Sequence, residues 1–222
     1  MFARQMQFLA DNGYRTLSIN DALRDINLRR SDARRVVITF DDGYSTFLEH
    51  ALPTLRRFSF EATVFVVTGF TGEERVSRQN KGYMTWNELR MIQANGMTIG
   101  SHTVTHPTLR SISLSQIEDE IRRSKQVLEA HLNTRVSSFS YPTAFPEHNK
   151  ELISGMKDRL TDCGYDNAVS SIIGTLSPSN DRFLVPRIPI NSYDDLHLFQ
   201  AKLHGAYDWL HAAQYVRKMM ER

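Results

Sequence analysis

Residues 36–43 read Val36-Val37-Ile38-Thr39-Phe40-Asp41-Asp42-Gly43. Five consecutive β-branched or aromatic side chains suit a strand buried on both faces, as in a parallel sheet. The run stops on two carboxylates and a glycine. In parallel α/β architectures chemistry collects where strands end, so this stop marks a candidate site.

The flanking sequence alternates between helix and strand patterns. Phe2, Met6 and Leu9 lie at helical spacing, and Asn12-Gly13 ends that helix. Tyr14 to Ile19 predicts a short strand, with Asn20 or Asp21 capping the next helix. Arg29 to Arg35 reads as a solvated basic linker. After the acidic stop comes a helical stretch from about Ser45 to Phe58, then a second buried strand, Ala62 to Val67. Gly69 to Gly82 reads as loop. Thr85-Trp86-Asn87-Glu88 opens a helix that Asn95-Gly96 closes. Met97 to Gly100 is a third strand. Leu114 to Leu132 is the clearest amphipathic helix, with Ile117, Ile121, Ser124, Leu128 and Leu132 on one stripe and Ser113 or Ser115 as cap. Ser138 to Tyr141 makes a fourth strand, closed by Pro142. A helix over Glu151 to Cys163 leads to a fifth strand, Asn167 to Ser171. Phe183 to Ile190 is a sixth, and its two prolines place it at an edge or a bend. Tyr193 to about Arg217 is mostly helical, with its aromatics assigned mainly to the core. The alternation predicts one α/β domain over residues 1–222 with a mostly parallel sheet.

Composition excludes several classes. Of 222 residues, 41% are hydrophobic and 23% charged, which is globular and not disordered or fibrous. Twenty-seven basic against 25 acidic residues give +2, too little for a nucleic-acid footprint. The single cysteine, Cys163, leaves only His, Asp and Glu as metal ligands. No apolar run reaches the length of a membrane span. No signal peptide is visible at the N-terminus, so a cytoplasmic location is expected, or an envelope association if the sequence is a trimmed piece.

Three polar clusters follow strand ends: Asp41-Asp42, His102 with His106, and Tyr141-Pro142. Two imidazoles four residues apart can point the same way, as zinc ligation requires, but capping or surface histidines share that spacing. Adjacent carboxylates at a buried strand end repel each other. Either one caps the next helix while the other faces water, or a cation neutralises one and leaves the other as a base. Gly43 permits the sharp turn that would splay them. One Asp and two His make a three-ligand site with an open position, the composition of a catalytic centre.

Thr39-Phe40-Asp41-Asp42-Gly43, His102-Thr103-Val104-Thr105-His106 and Ser138-Phe139-Ser140-Tyr141-Pro142, in this order, resemble the first three motifs of the polysaccharide deacetylase (NodB-like) family, carbohydrate esterase family four. The resemblance implies a distorted, incomplete (β/α) barrel of about six or seven strands. It implies that Asp42, His102 and His106 hold zinc, or another divalent metal such as cobalt. Asp41 would be the catalytic base and a metal-bound water the nucleophile, with the main chain of Thr143 as oxyanion donor. The substrate would be an acetylated amino-sugar saccharide, and Tyr141, Pro142 and Trp86 would contact it. Tyr83 is a second aromatic candidate, and the alternative for Trp86 is packing under the helix start.

Four departures mark this chain. The third motif has Ser140 where an Arg is usual, and Arg187 is the candidate replacement. Thr143-Ala144-Phe145 alters the subsite loop. The family's Leu-x-His acid has no clear counterpart; His50, His148 and His204 are weak substitutes. A further N-terminal strand, common in relatives, is not seen, so either the barrel is one stave short or the sequence is a trimmed piece. Two alternatives stay open: a hydrolase of a small non-sugar amide, and a catalytically silent carbohydrate-binding homologue. The oligomeric state is not legible.

Overall fold

The computed structural model describes residues 1–28, 34–74, 77, 78 and 81–220. Most of the Arg29–Arg35 linker lies outside them. The elements run α1 (Phe2–Asp11), β1 (Arg15–Thr16), α2 (Ile19–Asn27), β2 (Arg35–Val36), β3 (Thr39–Phe40), α3 (Leu52–Arg57), β4 (Thr63–Val66), β5 (Ser77–Arg78) and β6 (Lys81–Gly82). They continue with α4 (Trp86–Ala94), β7 (Thr98–Ser101), α5 (Leu114–Leu132), β8 (Ser138–Ser140), α6 (Lys150–Asp162), β9 (Asn167–Ile173), β10 (Val185–Arg187), α7 (Leu196–Leu203) and α8 (Leu210–Met220).

Six strands form the main sheet in the order β10-β9-β8-β7-β4-β3, and every pair is parallel. Laid flat, its two edges would stand roughly 24 Å apart at five strand spacings. Instead Arg187, the last residue of β10, touches Asp41, the residue after β3, at 2.8 Å. The sheet is therefore rolled into an incomplete barrel, as the sequence predicts, with the edge position of β10 as its prolines require.

Covering helices follow their sequence signals. α5 spans the predicted residues, and its stripe of Ile117, Ile121, Ser124, Leu128 and Leu132 is buried. A Ser113–Gln116 capping box starts it, and Asn133, at φ 49°, ends it in the left-handed region. α4 opens on the Thr85–Glu88 capping box. The core between sheet and helices includes Leu55, Val64, Leu89, Ile92, Phe139, Met156 and Leu160, all essentially inaccessible.

Four local expectations are corrected. The 36–40 run is two short strands, not one: β2 pairs with β1, while β3 pairs with β4. It is half-buried and not enclosed on both faces. The run borders the open seam of the barrel, where a cavity of about 1030 Å³ separates it from β10. Second, Ser18, not Asn20 or Asp21, caps α2, accepting the Asp21 N–H at 3.1 Å. Third, the helix after Gly43 begins as a π-helical stretch, Phe47–Ala51, because Pro53 has no N–H to offer the Glu49 carbonyl. Fourth, the C-terminal helical region is two helices. Phe199 packs inside, but Trp209, between them, is 69% exposed.

Candidate active site

The turn after β3 splits the two aspartates. Asp42 has φ 75° and Gly43 φ 75°, so two consecutive left-handed residues reverse the chain and send the carboxylates apart. A Cβ on Gly43 would meet Val66 only at ordinary contact distance, so its backbone angle, not crowding, demands glycine.

Asp41 turns toward the barrel seam. Arg187 Nη1 donates to its Oδ1 and Nη2 to its Oδ2, both at 2.8 Å. This is the planar two-toothed pairing that only guanidinium offers a carboxylate. Arg187 is itself pinned: Nε donates to the Ser170 carbonyl at 3.0 Å, and Nη2 reaches the Ser140 hydroxyl at 3.3 Å. Ser140 in turn donates to Asp41 Oδ1 at 3.2 Å. Burial pushes the Asp41 carboxyl up, but the Arg187 charge and hydrogen bonds, helped by His102 and Ser140, outweigh it and hold it below the usual range. Asp41 is ionised and aimed. Arg187 thus fills the gap left by Ser140, and Ser140 joins the same network.

Asp42 turns the other way, toward β7. Its Oδ1 lies 3.6 Å from His102 Nε2 and 3.4 Å from His106 Nε2. Tetrahedral zinc, with bonds of about 2.0–2.2 Å, sets its ligand atoms roughly 3.3–3.6 Å apart, so these two spacings fit an ion between them. His102 is 2% exposed, and its Nδ1 lies 2.7 Å from the Ser140 carbonyl. That oxygen can only accept, so Nδ1 carries the proton and Nε2 presents its lone pair to the cluster. Burial, the largest influence, pulls the His102 pKa down despite the opposing pull of Asp41, which favours the neutral form that binds cations. Asp42 and His106 remain partly open to solvent, leaving one side of the cluster accessible. Among the described residues this is the one His/Cys/Asp/Glu cluster with metal-ligand spacing.

Backbone strain gathers here. Six non-glycine residues have positive φ among those described; Asp42, Thr103 and His106 belong to this site, and Thr143 lies three residues past Ser140 on the loop after β8. Each such residue costs on the order of 1–2 kcal/mol and persists only where its surroundings enforce it.

Thr143 sits at φ 60° on the exposed loop after β8, and its N–H has no partner among the described residues. Tyr141 is placed differently from its sequence assignment. Its ring is 2% exposed and packs on Phe139 and Phe145, so the core takes the side chain; Pro142 is buried as well. Trp86 takes the packing alternative: it is 5% exposed at the start of α4 and lies flat on His131 at 3.9 Å. An aromatic beside the cluster is Tyr44, whose phenol feels the Asp42 carboxylate and whose ring meets Tyr83 at 5.1 Å. Burial and Asp42 push the Tyr44 phenol up. The sequence reading missed Tyr44, although it directly follows Gly43. His50 is exposed on its helix and His204 just past the end of α7, and among the described residues no hydrogen bond or ion pair joins them or His148 to Asp41 or Asp42.

Comparison with known proteins decides the family. The polysaccharide deacetylase family model matches residues 29–167. The chain belongs to the polysaccharide deacetylase family. Among curated relatives, YxkH of Bacillus subtilis (strain 168) is 26% identical over 191 residues, covering 86% of this chain and 64% of its own. The chain therefore spans under two thirds of that relative. A poly-beta-1,6-N-acetyl-D-glucosamine N-deacetylase of Staphylococcus aureus (strain MRSA252) is 23% identical over 208 residues, covering 90% of this chain and 69% of its own. Among solved structures, the Streptococcus pyogenes deacetylase PplD, in complex with acetate, superposes with a TM-score of 0.79 at 25% identity, covering 91% of this chain and 85% of its own. IcaB from Ammonifex degensii, at 20% identity, shares the fold with a TM-score of 0.76, covering 92% and 88%. The family's half-barrel is the architecture that brings Asp41, Asp42, His102, His106 and Arg187 to one rim.

Proposed function

We propose that this chain is a divalent-metal-dependent hydrolase that removes N-acetyl groups from an amino-sugar polysaccharide. One observation carries the reading: adjacent aspartates serve opposite partners, Asp41 a guanidinium and Asp42 two imidazoles. Membership of the deacetylase family and the poly-N-acetylglucosamine deacetylase relatives support the substrate class.

Asp42, His102 and His106 would hold the ion. Bound there, it supplies Lewis acidity, lowering the pKa of a water and polarising an amide carbonyl. The chain's own residues do the rest. Asp41 accepts the proton of the attacking water; being free of the imidazole pair, it stays available as a base. Arg187 keeps that carboxylate ionised and fixes its plane. The Thr143 N–H donates to the oxygen that gains charge as the carbonyl becomes tetrahedral. Ser140 serves both halves: its carbonyl sets the His102 tautomer and its hydroxyl steadies Asp41. The C–N bond then breaks, the leaving nitrogen takes up the proton that Asp41 accepted, and the products are acetate and a free amine on the sugar.

The test is acetate release from poly-β-1,6-N-acetylglucosamine and acetylated chito-oligosaccharides, with zinc or cobalt added. Wild type is expected to turn over, and Asp41→Asn to retain metal but lose activity. If both proteins bind these glycans alike and neither releases acetate, the hydrolase reading fails.

A further inference from the structure

The segment joining the two imidazoles has a demanding backbone. Thr103 and His106 hold φ at 70° and 57°, in the left-handed region that residues with a Cβ rarely occupy. Such a segment keeps one shape only when its surroundings enforce it. Within it the Thr103 hydroxyl accepts the His106 N–H at 3.0 Å, and further bonds come from outside. On one side the main chain after β4 supplies them: the Thr68 N–H donates to the Thr103 carbonyl at 3.1 Å, and the Gly69 N–H to the Val104 carbonyl at 2.8 Å. On the other side there is a single carboxylate. Glu120 Oε2 accepts the Val104 N–H at 2.7 Å and the Thr105 N–H at 2.9 Å, and Oε1 accepts the Thr105 hydroxyl at 2.8 Å. Glu120 lies on α5, outside the cluster, and forms no ion pair among the described residues; its three hydrogen bonds all go to this segment.

We propose that Glu120 is a positioning residue. By holding residues 104 and 105 it fixes the separation and aim of the His102 and His106 imidazoles, and so sets the affinity of the cluster for a divalent cation. The inference rests on the metal reading given above. It touches neither substrate nor ion, so its signature is metal affinity rather than a change in chemistry. Charge is not its essential property. A glutamine could accept both N–H groups on its amide oxygen and donate its NH₂ to the Thr105 hydroxyl.

The experiment compares wild type, Glu120→Ala, Glu120→Gln, Thr105→Ala and His106→Ala as full-length chains stripped of metal. Each is titrated with zinc against a chromophoric chelator, and the thermal midpoint of each metal-free protein is recorded. Glu120→Ala is expected to weaken zinc binding about tenfold or more, in the range seen when ligand-orienting partners are removed. Glu120→Gln should stay within about threefold of wild type, the effect of one modest hydrogen-bond change. Thr105→Ala, at an exposed position, removes one of the three bonds and should lie between them, which keeps the test decisive if Glu120→Ala does not fold. The metal-free midpoints of the folded variants should nearly coincide. Wild-type zinc affinity in Glu120→Ala, or in Thr105→Ala where Glu120→Ala does not fold, would overturn the proposal, as would Glu120→Gln being as weak as Glu120→Ala. Equal, weak binding by wild type and His106→Ala would instead overturn the metal reading, and this proposal with it.

Discussion

Arg187 and Asp41 join the two free edges of the sheet through paired 2.8 Å hydrogen bonds, so one contact both closes the barrel rim and fixes the carboxylate proposed as the base. Both side chains keep some solvent exposure, which moderates the energy of the pair. Arg187→Lys keeps the charge but loses the two-toothed geometry. It should lower kcat about tenfold or more with a smaller change in KM, as expected for loss of base orientation. Initial rates of acetate release check this. Asp41→Asn should lower kcat by about 10²–10⁴, the usual contribution of a general base. The double variant should fall well short of the summed losses, because the residues act as one unit.

Removing the ion offers a second test. A chelator should abolish activity, and zinc should restore it. Zinc at about a hundred times its dissociation constant should stabilise the fold by about 2.7 kcal/mol, visible as a higher thermal midpoint. His106→Ala should lose both responses while keeping the wild-type fold, since His106 lies on a partly open loop.

The oxyanion donor assigned to Thr143 is main chain, so its side chain is dispensable. Thr143→Ala should keep kcat within about threefold, since a backbone N–H survives side-chain truncation. Thr143→Gly should gain up to about 1 kcal/mol of stability from relief of its positive φ, unless unfolded-state entropy offsets it. Thermal melts and initial rates on both variants separate the two roles.

Trp86 distinguishes core from substrate platform. Stacked on His131 and 5% exposed, it should cost about 3–5 kcal/mol when cut to alanine. The KM of whatever folded fraction remains should be unchanged. Denaturant melts together with saccharide kinetics read both numbers.

The sequence was most legible where local rules act alone. The α5 stripe, its Ser113 cap and the edge position of Pro186 follow from periodicity, capping and a missing N–H. Asp42, His102 and His106 meet because each follows the end of a strand in the same parallel sheet, so motif order in the chain was informative. Long-range partners were less visible. Nothing local in Leu-Val-Pro-Arg shows that Arg187 crosses the seam to Asp41; the reading named it from the gap at Ser140 and by resemblance. Glu120 and Tyr44 escaped notice because one is an ordinary acid on a polar helix face and the other an ordinary aromatic after a glycine. Tyr141 was misplaced because an aromatic in a motif can bury its ring in the core, and the linear sequence does not show which way the ring faces.

The central claim is that one divalent ion sits between a carboxylate and two imidazoles while the neighbouring carboxylate stays free of it. Anomalous scattering from zinc-loaded crystals, measured on both sides of the zinc absorption edge, tests this most directly. The account expects a single strong peak within bonding distance of Asp42, His102 Nε2 and His106 Nε2, with Asp41 still paired to Arg187. A peak bridging both aspartates, or none beside the imidazoles at saturating zinc, would contradict it.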